Sequence, residues 1–165
     1  MAVAASVESR LSIADSDIPG SVLYLVFKDL GCGISIDTFD QRKLLQKIVF
    51  ILQQAGLDLG YSYRWHLSGP YSTDLGQAYY RIAGRQSEYA KRTGNLHLKT
   101  EAKAIIGKVR KTLGSGVTDP ALLEAISTVL YLNRREIPYL QRLKPGIPEA
   151  TWKVAFNKVD ALSLK

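Results

Sequence analysis

Apolar positions recur at three- and four-residue steps along most of the chain, the spacing that gathers them on one face of a helix. The clearest case follows Thr38. Leu44, Leu45, Ile48, Val49, Leu52 and Ala55 form its inner side, and Gln41, Lys43, Gln46, Lys47, Gln53 and Gln54 are expected on its wet side. Thr38 and Gln41 fit a capping box, in which each side chain bonds the other residue's backbone N–H, and Gly56 ends the run. The same period predicts a helix from a Ser21 cap to Leu30, where Gly31 supplies a left-handed stop. Val22–Phe27 is rich in β-formers, so a buried strand competes there. Further helices are predicted from Ser72 or Thr73 to about Arg92, and from a Thr100 cap to Leu113. Another starts at Asp119-Pro120, is apolar enough to be central, and holds Arg134 and Arg135 in its last turn. After a loop punctuated by Pro138, Pro145, Gly146 and Pro148, a final helix carries Trp152, Ala155, Phe156, Val159 and Leu162.

One stretch departs from the helical period. From Tyr61 to Ser68 the pattern alternates, with Tyr61, Tyr63, Trp65 and Leu67 on the side expected to face the core and Ser62, Arg64, His66 and Ser68 opposite. The other short alternation, Asn95–Lys99, is the expected partner strand. Gly69, Pro70, Tyr71 and Ser72 between them read as a bend, an aromatic cover and a helix cap, serving either as scaffold or as partner contact. Gly76 and Gly84 each weaken the following helix by about 1 kcal/mol unless they admit a close neighbour. The expected fold class is mainly α with a small two-stranded β element (α+β). Residues 19–165 form one compact domain of five or six helices, and residues 1–18, closed off by Pro19-Gly20, form a loose N-terminal arm.

Composition narrows the class. With 165 residues, 46% of them apolar and 22% charged, the chain suits a globular domain and not a disordered one. Its longest apolar runs are far shorter than the roughly 20 residues of a membrane helix. Its first residues lack the pattern of a secretory signal, and its single cysteine, Cys32, excludes an internal disulfide, so a cytoplasmic location is expected. Net charge is +7 and unevenly placed. Residues 81–111 hold nine basic side chains against Glu88 and Glu101. The nine are Arg81, Arg85, Lys91, Arg92, Lys99, Lys103, Lys108, Arg110 and Lys111, and all but Lys99 are singled out as binding candidates. Such a concentration either focuses a field on phosphate or an acidic protein surface, or forms the solvated faces of two helices. On the strand, Arg64 and His66 make a second candidate surface.

Reaction chemistry is not legible. The chain has no phosphate-binding glycine loop, no dinucleotide fingerprint, no HExxH and no nucleophile elbow. His66 and His97 would approach each other only if their two strands pair, and two ligands make no metal site. No catalytic residue, cofactor or metal is therefore expected, and the protein reads as a non-enzyme.

Leu45-Gln46-Lys47 with the apolar Ile48-Val49-Phe50, then Gly60-Tyr61, then Gly69-Pro70-Tyr71-Ser72 with Leu75, occur in an order and spacing that resembles the YwgA-like and Panacea-domain group. The likeness covers roughly residues 20–160. It departs from the group in its basic 81–111 stretch and its polar arm. The resemblance implies a small, largely helical protein of antitoxin type that binds and neutralises a toxin encoded beside it. Two readings of function follow: a non-enzymatic protein-binding module with a basic surface, or a nucleic-acid-binding regulator that uses residues 81–111. Steep loss of duplex affinity with salt would mark the second.

Overall fold

Side chains set the helix ends. The Gln41 backbone N–H donates to Thr38 Oγ1 at 3.1 Å and the Thr38 N–H to Gln41 Oε1 at 3.0 Å, the expected capping box. Asp119 accepts from the N–H groups of Ala121 and Leu122 at 3.1 and 3.2 Å. In this computed structural model, residues 17–163 are described, together with the backbone of Val7 and Glu8. Of the arm expected over 1–18, residues 1–6 and 9–16 lie outside the described residues.

The described helices are α1 (Ile18–Leu30), α2 (Phe39–Gln54), α3 (Thr73–Ala83), α4 (Gln86–Arg92), α5 (Thr100–Leu113), α6 (Pro120–Leu132), α7 (Ile137–Leu143) and α8 (Glu149–Ser163). The strands are β1 (Val7–Glu8), β2 (Arg64–His66), β3 (Gly69–Tyr71) and β4 (His97–Leu98). The fold is mainly α with a small β element. Residues Leu122 to Val129 of α6 are buried without a break, and α6 packs on α2 on one side and on α8 on the other. The α1 helix packs against α3, α4 and α5. The run Val22–Phe27 is helical, which resolves its ambiguity.

Several expectations are corrected. The strand around 61–68 does not pair with 95–99. Its ordered part, β2, pairs antiparallel with β3 in register His66↔Gly69 and Arg64↔Tyr71, while β4 pairs with β1. His66 and His97 therefore belong to different strand pairs. The cap of α1 is Asp17, not Ser21: Asp17 accepts from the Gly20 N–H at 3.0 Å, and Pro19-Gly20 opens the helix. A proline in the first turn loses no intrahelical bond. The helix expected from Ser72 to Arg92 breaks at Gly84-Arg85 into α3 and α4. Gly76 does admit a close neighbour, since a Cβ there would stand 3.1 Å from the Tyr71 hydroxyl. Thr100 is the first residue of α5 rather than its cap, a position Lys99 takes. The α6 helix stops at Leu132 because Asn133 adopts a left-handed φ of 54°. Arg134 and Arg135 thus leave the helix and pair with Glu136 and Asp160. The stretch read as a loop contains α7, with Pro138 tolerated in its first turn. No helix among the described residues is long and apolar enough to cross a membrane.

Candidate functional site

The α2 helix carries polar side chains that do not face water. Gln46 is 2% exposed and Lys47 1%, although periodicity places both on the wet side. The Gln46 amide brackets the backbone of Ser72, donating to its carbonyl and accepting from its N–H, both at 2.8 Å. Two turns later Gln53 treats Tyr61 the same way, at 3.0 and 2.9 Å. Each pairing satisfies two backbone groups of an extended segment that has no strand partner there. Lys47 Nζ donates to the Pro70 carbonyl at 2.8 Å. Ser72 Oγ in turn accepts from the Leu75 N–H at 3.2 Å and caps α3. The segments around Gln46-Lys47 and Pro70–Ser72 are therefore hydrogen-bonded to each other. Removing the cap by Ser72→Ala is expected to cost about 1 kcal/mol of stability in urea unfolding.

A group of charges supports the β2–β3 hairpin from below. Glu124 on α6, 8% exposed, accepts from Lys43 and, at 2.9 Å, from Lys144. Lys144 also donates to the Leu67 carbonyl and lies 5.4 Å from the Trp65 ring centre. Gly69 completes the seat: its φ is 96°, and a Cβ there would meet Lys47 Nζ at 3.2 Å. Burial pushes the Glu124 carboxyl up, but bonds from Lys43 and Lys144 outweigh it and leave the group below its ordinary range.

Lys47 goes the other way. Burial is the dominant influence and lowers its ammonium from 10.5 to about 7; Glu124 opposes that fall, while Lys144 and Lys43 add to it. Between those two pH values the unfolded chain binds the proton and the folded chain sheds it, so stability rises with pH across the window. Urea unfolding at pH 7 and pH 10 should show wild type gaining roughly 3–4 kcal/mol relative to Lys47→Met between the two. A difference that stays constant would show that Lys47 keeps its ordinary proton affinity.

Above this seat the hairpin presents its outer face. Leu67 and Ser68 form its tip, and Leu67 is 89% exposed. Trp65, expected in the core, is 36% exposed and packs at 5.5 Å from the Tyr131 ring. Arg64 and His66 are exposed as expected, and His66 lies 5.4 Å from the ring of Tyr71. The tip cannot bury Leu67, because the chain reverses within two residues and only Tyr61 and Tyr63 of the alternating set pack against the core. Phe39, Tyr71, Tyr80 and Tyr131 are likewise exposed on or beside the hairpin. A recess of about 380 Å³ runs along Arg64, Trp65, His66, Tyr71 and Asp74. A second, of about 310 Å³, lies between the hairpin, α2 and α3.

The basic segment is divided among local partners. Arg81 pairs with Asp17 at 3.2 Å, and Asp17 also accepts from the Tyr89 hydroxyl. Arg85 and Arg92 share Glu88, at 2.8 and 3.6 Å, and Arg92 stacks on Tyr89 at 4.9 Å. Lys108 donates to the Leu162 carbonyl at 3.1 Å and Arg110 to that of Asp29 at 3.3 Å. Lys91, Lys103 and Lys111 are exposed. The predicted nine thus lie on α3, α4 and α5 and in the links before α4 and α5, and much of their charge is held by the chain's own acids and carbonyls. Sequence reading missed Gln46, Lys47, Glu124 and Lys144. The signal that was available is the joint presence of Gln46-Lys47 and Pro70–Ser72, which are now seen to touch.

No protein-family model, curated protein or solved structure matches this chain.

Proposed function

We propose that the protein is a non-enzymatic binding module of the cytoplasm whose contact surface is the exposed β2–β3 hairpin with its flanking aromatic residues. The observation that carries the reading is the exposed set of Trp65, Leu67, Tyr71 and Tyr131 beside Arg64 and His66, on a hairpin seated by Lys47, Gln46 and Lys144. Trp, Tyr and Arg dominate the energetics of protein interfaces, and contiguous exposed apolar groups mark them. A seat fixed by buried hydrogen bonds lowers the ordering cost of association. The partner is a protein with an acidic or carboxylate-bearing surface. Following the family resemblance, it is a toxin encoded by the adjacent gene.

Co-expression with the adjacent gene's product tests the reading. Association, with relief of any toxicity that product shows alone, supports it. If that product neither associates with this chain nor is toxic alone, the antitoxin assignment fails. The nucleic-acid reading has less behind it, since Arg81, Arg85 and Arg92 are already paired with Asp17 and Glu88. A generic duplex titrated at low salt settles that alternative: binding that weakens steeply with salt would restore it.

A further inference from the structure

We infer that the recess of about 310 Å³ between α2, α3 and the hairpin binds a small anion whose charge sits beside a flat ring, such as an aromatic or heteroaromatic phosphate or carboxylate. Two independent features of the recess lead there. The first is charge. Arg42, Lys43, Lys47 and His66 border it, and no Asp or Glu does among the described residues. Behind them the amines of Lys43, Lys47 and Lys144 gather around Glu124, with which Lys43 and Lys144 pair. Lys43 and Lys144 both bond Glu124, whereas Lys47 has a neutral carbonyl, that of Pro70. Two cations on one carboxylate, with Arg42 beside them, leave the recess short of a counter-charge. An anion in the recess supplies it.

The second feature is the wall. Phe39, Tyr71, Tyr79 and Tyr80 complete the lining, and Phe39 and Tyr80 are more than half exposed although neither contributes to the core. Rings held open around a cavity of small-molecule size suit stacking against a flat ligand, and a few convergent polar groups beside them fix its orientation. Arg42 already spends one N–H on the Ile36 carbonyl at 2.7 Å, which steadies the guanidinium while leaving further donors for an oxyanion. Anion binding in this recess needs no partner protein, so it can fail or hold independently of the protein-binding role.

The experiment is isothermal titration of the full chain with phenyl phosphate, adenosine 5′-monophosphate, phenylacetate, inorganic phosphate and adenosine. The inference expects one-to-one binding of at least one of the three ring-bearing anions, tenfold or more tighter than inorganic phosphate or adenosine. Which of the three wins distinguishes a nucleotide from a simple aromatic phosphate or carboxylate. Tyr80→Ala, at an exposed position that leaves the core intact, should weaken that ligand about tenfold, and Arg42→Gln should do so as well. A bound anion also favours the charged form of Lys47, whose charged neighbours are Lys43, Lys144 and Glu124. The NMR titration of its ε-methylene should therefore move to higher pH when ligand is present. Absence of binding by all three ring-bearing anions, binding of inorganic phosphate as tight as theirs, or affinities unmoved by both substitutions would overturn the inference.

Discussion

Replacing Glu124 with glutamine is expected to destabilise the protein by about 3–5 kcal/mol, the largest loss of any single change near the site. Glutamine keeps the shape and removes the charge. Lys43 and Lys144 would lose the carboxylate that both bond, and Lys47 would lose the one nearby acid that favours its charged form. Lys43 and Lys144 would then keep their charges with no carboxylate to offset them, and Lys47 would shed its proton at still lower pH. Screening by salt reaches this buried region poorly, so the loss should persist at high ionic strength. The double variant Glu124→Gln with Lys43→Met should recover part of it, because one of the stranded charges goes with the second substitution. Guanidinium unfolding measures both. A loss below 1 kcal/mol for the single variant would mean that the lysines do not depend on Glu124.

The same cluster shows what a reading of residue types leaves out. Periodicity located α2, α6 and α8, and cap chemistry at Thr38, Ser72 and Asp119 set three helix starts, because those signals are local and repeat the backbone's own needs. Polarity alone puts Gln46 and Lys47 toward water. Yet an amide or ammonium that bonds a carbonyl from another segment is satisfied and buries readily. Alternation over-extends the strand at 61–68 for a related reason. Alternation reports which way side chains point, whereas pairing depends on where backbone groups find partners. At Tyr61 that partner is the Gln53 side chain, not a neighbouring strand. The basic segment illustrates the converse. Nine cations in sequence read as one field, but Asp17 lies far from Arg81 in sequence and pairs with it in space. The outer face of the hairpin was half legible: Arg64 and His66 were expected there, while Trp65 and Leu67 were expected inside.

The second large effect concerns association. In Arg64→Glu/Leu67→Asp, affinity for the co-expressed partner should fall by at least ~30-fold, the loss that a hot spot of 2 kcal/mol implies. Leu67 makes the cleaner probe of the two positions, since a side chain 89% exposed gives up almost no packing when replaced. Stability should accordingly stay within ~0.5 kcal/mol of wild type, which separates lost binding from lost folding. The matched control reverses charge at Arg85, Lys103 and Lys111, all exposed and all away from the hairpin in sequence. Their long-range contribution to encounter should change affinity by no more than a few-fold. If instead the triple reversal abolishes association and the hairpin variant binds normally, the partner is held by the basic helices, and the hairpin is scaffold.

Hydrogen–deuterium exchange of the chain, alone and in complex with the adjacent gene's product, tests the central claim most directly. The account predicts new protection across residues 64–71 on complex formation, with 85–111 unchanged. Protection confined to 85–111, with the hairpin exchanging at its unbound rate, would contradict it.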